Sequence, residues 1–129
     1  MTASLATILG VLIWLQVKHF VCDYPLQTHY QLVNKGTYGH PGGILHAGVH
    51  VVGTALLFLV VTPPLWLGIV ILVGEFVAHY HLDWGKSRLM RMTGWKMDRS
   101  PFWWSIGADQ LGHHLTYIAI AALLAIYAV

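Results

Sequence analysis

Charge is scarce in this 129-residue chain: Asp, Glu, Lys and Arg together make up 9% of it. A water-soluble domain of this size carries about a quarter, so most soluble folds are excluded. Cysteine is nearly missing, and a lone Cys22 cannot close an internal disulfide, which leaves the redox compartment open. The opening MTASLATILG holds no basic residue, so it reads as part of a retained span, not as a cleaved leader. There is neither an internal repeat nor a low-complexity tract. What fills the chain is apolar: 57% hydrophobic residues and a mean hydropathy of +0.62. That much apolar and aromatic surface excludes disorder. The length suits one integral membrane domain over 1–129.

A helical membrane span takes about 20 mostly apolar residues. Four stretches qualify, at about 4–24, 44–61, 65–84 and 104–127. The first stops before Pro25, because the residue before proline is pushed out of helical geometry. The second ends at Thr62-Pro63-Pro64. Barrel strands are excluded, since these runs do not alternate. The predicted fold is all-α, a four-helix transmembrane bundle running up-down-up-down.

Charge placement orients it. Lys18 lies near the end of the first span and Lys35 in the loop after it, while Lys86, Arg88, Arg91, Lys96 and Arg99 follow the third. In an alternating bundle all seven belong to one face, which the positive-inside rule makes cytoplasmic. Both termini are then expected on the periplasmic side of a bacterial inner membrane. The stretch from Lys86 to Arg99 mixes basic residues with Leu89, Met90, Met92, Trp95 and Met97, which suits a segment lying among anionic headgroups. Trp84, Trp103 and Trp104 read as interfacial anchors, with Trp66 on the opposite side.

Ionisable residues inside membrane helices are costly and by default mark function. Here they recur as pairs four residues apart: His19 with Asp23, His46 with His50, His79 with Asp83, and Asp109 with His113. That spacing puts both members on one helix face, one turn apart. The pairs close spans one and three and open spans two and four. In an alternating bundle, eight groups therefore converge at one depth, just inside the cytoplasmic surface.

Five imidazoles and three carboxylates make a nitrogen-and-oxygen donor set. It suits a divalent metal, with zinc first and iron or manganese behind it, and not copper(I) or an iron–sulfur cluster. Eight groups exceed one tetrahedral ion. Two ions, or one ion with carboxylates orienting the imidazoles from outside, both satisfy the count. Each pair alone also fits a private ion pair or an interhelical hydrogen bond. Glu75, a turn deeper on the third span, reads first as a packed protonated acid, and otherwise as a further ligand or base. His81 is expected to face loop or headgroup. Gln110 and His114 form a second pair beside the site, and Gln27 and Lys86 lie near its mouth. Gly48, Gly53, Gly74, Gly107 and Gly112 are expected to permit close helix contact.

The run His19-Phe-Val-Cys-Asp23 followed by Pro-Leu-Gln27-Thr, then His46, His79-x-x-x-Asp83-Trp84-x-Lys86 and Asp109-Gln110-x-x-His113, resembles small bacterial membrane proteins grouped as domain of unknown function 3307. The resemblance covers nearly the whole chain and implies no established activity. The intramembrane His/Asp arrangement is also similar to that of proteins labelled membrane-bound metal-dependent hydrolases.

The expected function is therefore a His/Asp metal centre near the cytoplasmic face, acting as a hydrolase of a lipid-linked or amphiphilic substrate with Asp83 or Asp109 as general base. No separate Ser, Cys or Lys nucleophile with an activating base stands out. The rival reading is a non-enzymatic subunit of a larger membrane complex that uses the cluster for polar packing. Haem between His50 and His113 is a third reading. Transport is a fourth, against which stands the want of broken helices and an inverted repeat. The expected partners are the lipid bilayer and such a complex, with no nucleic acid.

Overall fold

The computed structural model describes residues 3–127. Among them the chain is all-helical: α1 Leu5–Asp23, α2 His29–Asn34, α3 Pro41–Leu57, α4 Leu65–Thr93 and α5 Ser100–Tyr127. The four long helices correspond to the four expected segments. Three of them (α1, α4 and α5) are long and apolar enough to cross a membrane, whereas α3 has 17 residues. At 1.5 Å per residue α3 covers about 25 Å, somewhat less than a hydrocarbon core of about 30 Å.

Local chemistry sets the ends. Ser4 caps α1 by accepting a bond from the Thr7 amide at 3.1 Å, and Tyr24 closes the helix one residue before Pro25, as expected. The second expected segment, α3, starts earlier than the hydropathy suggests and ends earlier, at Leu57. Pro41 sits in the first turn with its φ already helical, and the His40 ring caps it by accepting from the Gly42 amide at 3.0 Å. α4 runs nine residues past the expected end at Trp84. Nothing in 85–93 breaks a helix until Gly94, whose φ of 65° supplies the left-handed cap. Most of the basic stretch is therefore a continuation of α4 and not a separate headgroup segment.

The loop after α1 holds a helix that the sequence reading does not anticipate. Thr28 and Gln31 form a capping box that starts α2. α2 rests on α3 because Gly42 and Gly43 have no side chains: a Cβ on Gly42 would meet Asn34 Cβ at 2.7 Å and the Tyr30 carbonyl at 3.0 Å. Gly42→Val is expected to unseat α2 at a cost of about 1–3 kcal/mol, the usual range for overpacking. Trypsin cleavage after the buried Lys35 would report it, and unchanged protection would contradict the packing.

The long helices form a closed ring in the order α1, α3, α4, α5. Neighbours run in opposite directions: Trp14 bonds the Gly53 carbonyl across α1 and α3, and Lys86 reaches Asp109 across α4 and α5. Inside, the ring is divided by depth. One end is a dry cluster of Val11, Leu15, Leu57, Leu67, Ile71, Tyr117, Ile120, Ala121 and Leu124. The other holds buried lysines, histidines and carboxylates. The outward faces are apolar, with Ile13, Val17, Ile69, Val73, Leu115 and Ile118 all about half exposed or more. That inversion, polar groups inward and large aliphatics outward, is what a bilayer selects and water penalises.

Of the glycines expected to permit helix contact, two do so. A Cβ on Gly53 would strike the Lys18 stem, and one on Gly112 would strike Leu82. Gly48, Gly74 and Gly107 face open space and bring no helices together.

Candidate metal centre

The eight groups singled out in the sequence come together. Because each pair is spaced by one helical turn and the helices alternate, α1 and α4 deliver theirs near the end of the bundle where α3 and α5 begin. His19, His46, His50, His79, Asp83, Asp109 and His113 are buried, and Asp23 is half-buried. The imidazoles form one continuous cluster of tilted and edge-on rings. Ring centroids are 3.8 Å apart for His50 and His79, 4.2 Å for His79 and His113, and 4.9 Å for His46 and His50.

Two carboxylates lie among these rings. Asp23 Oδ1 accepts from His50 Nε2 at 3.0 Å and lies 3.2 Å from His46 Nε2, while its Oδ2 lies 3.1 Å from His19 Nε2. Asp83 Oδ2 lies 3.2 Å from His46 Nε2 and 3.4 Å from His79 Nε2, with Oδ1 3.6 Å from His113 Nε2. Asp109 Oδ1 is 3.5 Å from His113.

Proximity here is not the same as hydrogen bonding. Both ring nitrogens of His46 and of His79, Nδ1 of His50, Nε2 of His113, Asp83 Oδ2 and Asp109 Oδ1 are buried without a hydrogen-bond partner. Buried polar atoms are nearly always paired, so a group of orphans at one point calls for a further partner. The donor atoms also sit close enough to share an ion. Three sets lie within 4.8 Å of one another: Asp23, His46, His50 and His79; His19, His79 and His113; and Asp83, Asp109 and His113. The first is a four-donor set of three imidazoles and a carboxylate, which matches the number and type of ligands zinc takes.

Three lysines pair with carboxylates in and below these sets. Lys35 Nζ is 3.4 Å from Asp83, and Lys86 Nζ bonds Asp109 at 2.9 Å. Deeper in the ring, Lys18 forms a buried ion pair with Glu75. It also lies 3.4 Å from the His50 carbonyl and 3.5 Å from the Tyr117 hydroxyl. Asp23 is the exception: among the described residues it meets imidazoles and no lysine. His19 differs from the other histidines too, with Tyr117 Oη 2.7 Å from Nδ1 and Gln110 Oε1 3.1 Å from Nε2. Already partnered on both sides, it is placed to orient the set.

Lys18 and Glu75 correct the sequence reading. Lys18 is not a surface topology signal, and Glu75 has a cationic partner instead of being a lone packed acid. The clue was present: an acid deep in a membrane helix needs a base at its own depth, and Lys18 is the lysine inside a span. Tyr117 gave no such signal, because a tyrosine in an apolar run reads as packing. Gln110 extends the site as the position suggested, whereas His114 is only half-buried beside His19. His81 turns to the loop as expected, bonding Tyr38 and the Val77 carbonyl. Gln27 folds back on its own helix end, donating to the Asp23 carbonyl at 2.8 Å. The haem reading finds no support here, because the His79 ring lies between His50 and His113, its centroid 3.8 Å and 4.2 Å from theirs.

Residues 11–129 match the family described as "Protein of unknown function (DUF3307)". The chain belongs to that family. Neither the curated proteins nor the solved structures offer a match.

Proposed function

We propose, from membership of a family with no assigned activity, that the chain is a four-helix transmembrane bundle whose function is to hold a divalent metal between its helices near the cytoplasmic face. The observation that carries this reading is the convergence of orphaned imidazole nitrogens on Asp23, His46, His50 and His79. These four are the preferred inner ligands. His113 with Asp83 and Asp109 offers a weaker second position, because Lys35 and Lys86 already neutralise those carboxylates. Zinc fits the inner set best, with iron and manganese next. Such an ion would supply Lewis acidity toward water or an ester oxygen. Asp109 Oδ1, buried without a hydrogen-bond partner while Lys86 holds Oδ2, is the carboxylate oxygen best left to accept a proton, with Asp83 Oδ2, 3.4 Å from Lys35 Nζ, second; hydrolysis of an amphiphile is the activity proposed. The dry cluster of Leu15, Leu67 and Leu124 seals the far end, which favours a one-sided site over a transport path.

Elemental analysis of the detergent-purified protein tests the centre. Wild type is expected to carry stoichiometric metal and His50→Ala to lose it. Folded wild type free of metal would overturn the proposal. It would instead favour the accessory-subunit reading, for which Lys18–Glu75, Lys35–Asp83 and Lys86–Asp109 supply a nearly neutral polar network.

Orientation is tested separately. Arg88, Arg91, Lys96 and Arg99 lie at the exposed end beside the site, and no basic residue lies near the Thr62–Pro64 turn. Even with Lys18 removed from the count, the positive-inside rule places that end in the cytoplasm. Reporter fusions at both termini are expected to read as periplasmic, and a cytoplasmic terminus would sink this orientation.

A further inference from the structure

Between α1 and α3 the bundle surface carries a groove of about 730 Å³, its floor and walls almost entirely carbon. It is an outward-facing groove: Val17, Leu45, Val52 and Leu56 on its rim are about half exposed. It exists because α3 presents Gly48 there, with nothing within 4 Å of where a Cβ would stand. At its deep end Trp14 bridges the two helices through the Gly53 carbonyl at 2.9 Å. From Leu56 to Ile44 the groove follows α3 for about 18 Å at 1.5 Å per residue, close to one leaflet's half of a hydrocarbon core of about 30 Å.

The groove and the candidate centre share a wall. The Lys18 stem lines the groove while its ammonium reaches Glu75 and the His50 carbonyl. Cys22 lines it too, one residue before Asp23. Asp23 has the most exposed side chain of the three aspartates in the cluster, 14% against 5% for Asp83 and 1% for Asp109. In a bilayer an apolar groove gains little by exchanging one hydrocarbon for another, so its selectivity must come from what holds the head of the chain. Four carboxylates (Asp23, Glu75, Asp83 and Asp109) meet three lysine ammonium groups (Lys18, Lys35 and Lys86). With neutral imidazoles the cluster is one charge negative, and one divalent ion reverses that sign. A loaded centre therefore attracts an anion.

We infer that the α1–α3 groove seats one acyl chain of a phosphate-headed lipid of the cytoplasmic leaflet, placing its head beside Asp23. This deepens the proposed metal site by naming its substrate class, and it rests on that reading for the head group. The probe is phosphatidic acid with a diazirine on one acyl chain, in phosphatidylcholine nanodiscs, compared with diacylglycerol carrying the same tail. Photolabelling is expected on Val21, Val49 and Val52, about tenfold stronger for phosphatidic acid, the preference that one charge-assisted contact provides. Gly48→Trp fills the groove from a position that has space for it and should bring labelling there to background; Gly48→Leu is the milder check. Even labelling that reaches Val70 and Leu115 equally, or labelling unchanged in both variants, overturns the groove. Equal labelling by the two probes overturns the phosphate head. Metal content measured on the same samples separates the readings: groove labelling without metal leaves the groove standing and removes the centre, and metal with even labelling does the reverse.

Discussion

Lys18→Met is expected to destabilise the bundle more than any other single change, by about 3–5 kcal/mol, the range for removing one partner of a buried ion pair. Lys18 is 6% exposed and Glu75 1%, so the carboxylate left behind is cut off from solvent and, among the described residues, has no other ion-pair partner. One of its oxygens, Oε2, already has no hydrogen-bond partner. Glu75→Leu should cost a similar amount by stranding the ammonium. The double variant Lys18→Met/Glu75→Leu replaces both charges with apolar groups of similar volume and should recover to within about 1 kcal/mol of wild type, since buried pairs exchange for hydrocarbon at little net cost. The resulting interaction energy is read from thermal unfolding in micelles as a double-mutant cycle. If both single variants unfold like wild type, the pair is not buried as described. A metal assay adds a second readout: Lys18 contacts the His50 carbonyl, so the double variant should fold yet bind the proposed metal less tightly.

That pair also marks the limit of what the sequence makes legible. The four helices follow from apolar runs bounded by proline, and the site follows from spacing: a turn-related pair in each helix, placed at alternating ends, must meet if the helices alternate. Both inferences use one-dimensional periodicity, which survives folding. The interior ion pair does not belong to that class. Lys18 and Glu75 are 57 positions apart, and which way a side chain turns at a helix end depends on what its neighbours leave open. Lys18 turns inward because Gly53 leaves room for its stem. Helix α2 escaped for a related reason. Its capping box was written in Thr28 and Gln31, but six residues among loop-forming neighbours carry no periodic signal, and the helix persists because Gly42 and Gly43 let it rest on α3. Hydropathy ends α4 too early because it follows the apolar run, whereas the helix stops only at Gly94.

Within the centre, His79→Ala is expected to be the most damaging ligand substitution. His79 belongs to two of the three donor sets, and its ring stands between His50 at 3.8 Å and His113 at 4.2 Å. Both of its nitrogens are buried without a hydrogen-bond partner, so its removal breaks no hydrogen bond; it gives up the 3.4 Å contact with Asp83 Oδ2 and leaves a cavity, so thermal unfolding is measured beside metal content. In the folded variant the loss falls on metal affinity. Removing a residue that merely orients a ligand costs about 10–100-fold, and deleting an inner ligand should exceed the upper end of that range. His19→Ala provides the contrast. That ring is held by Tyr117 and Gln110, so its loss should stay within about 10–100-fold. Protons compete with an ion for imidazole nitrogens, so occupancy falls on acidification, more steeply the more imidazoles ligate. The His79→Ala titration should therefore be shallower than wild type, and the His19→Ala titration parallel to it. Equal losses in the two variants would make the cluster a diffuse polar network, and undiminished metal in His79→Ala would remove the inner set altogether.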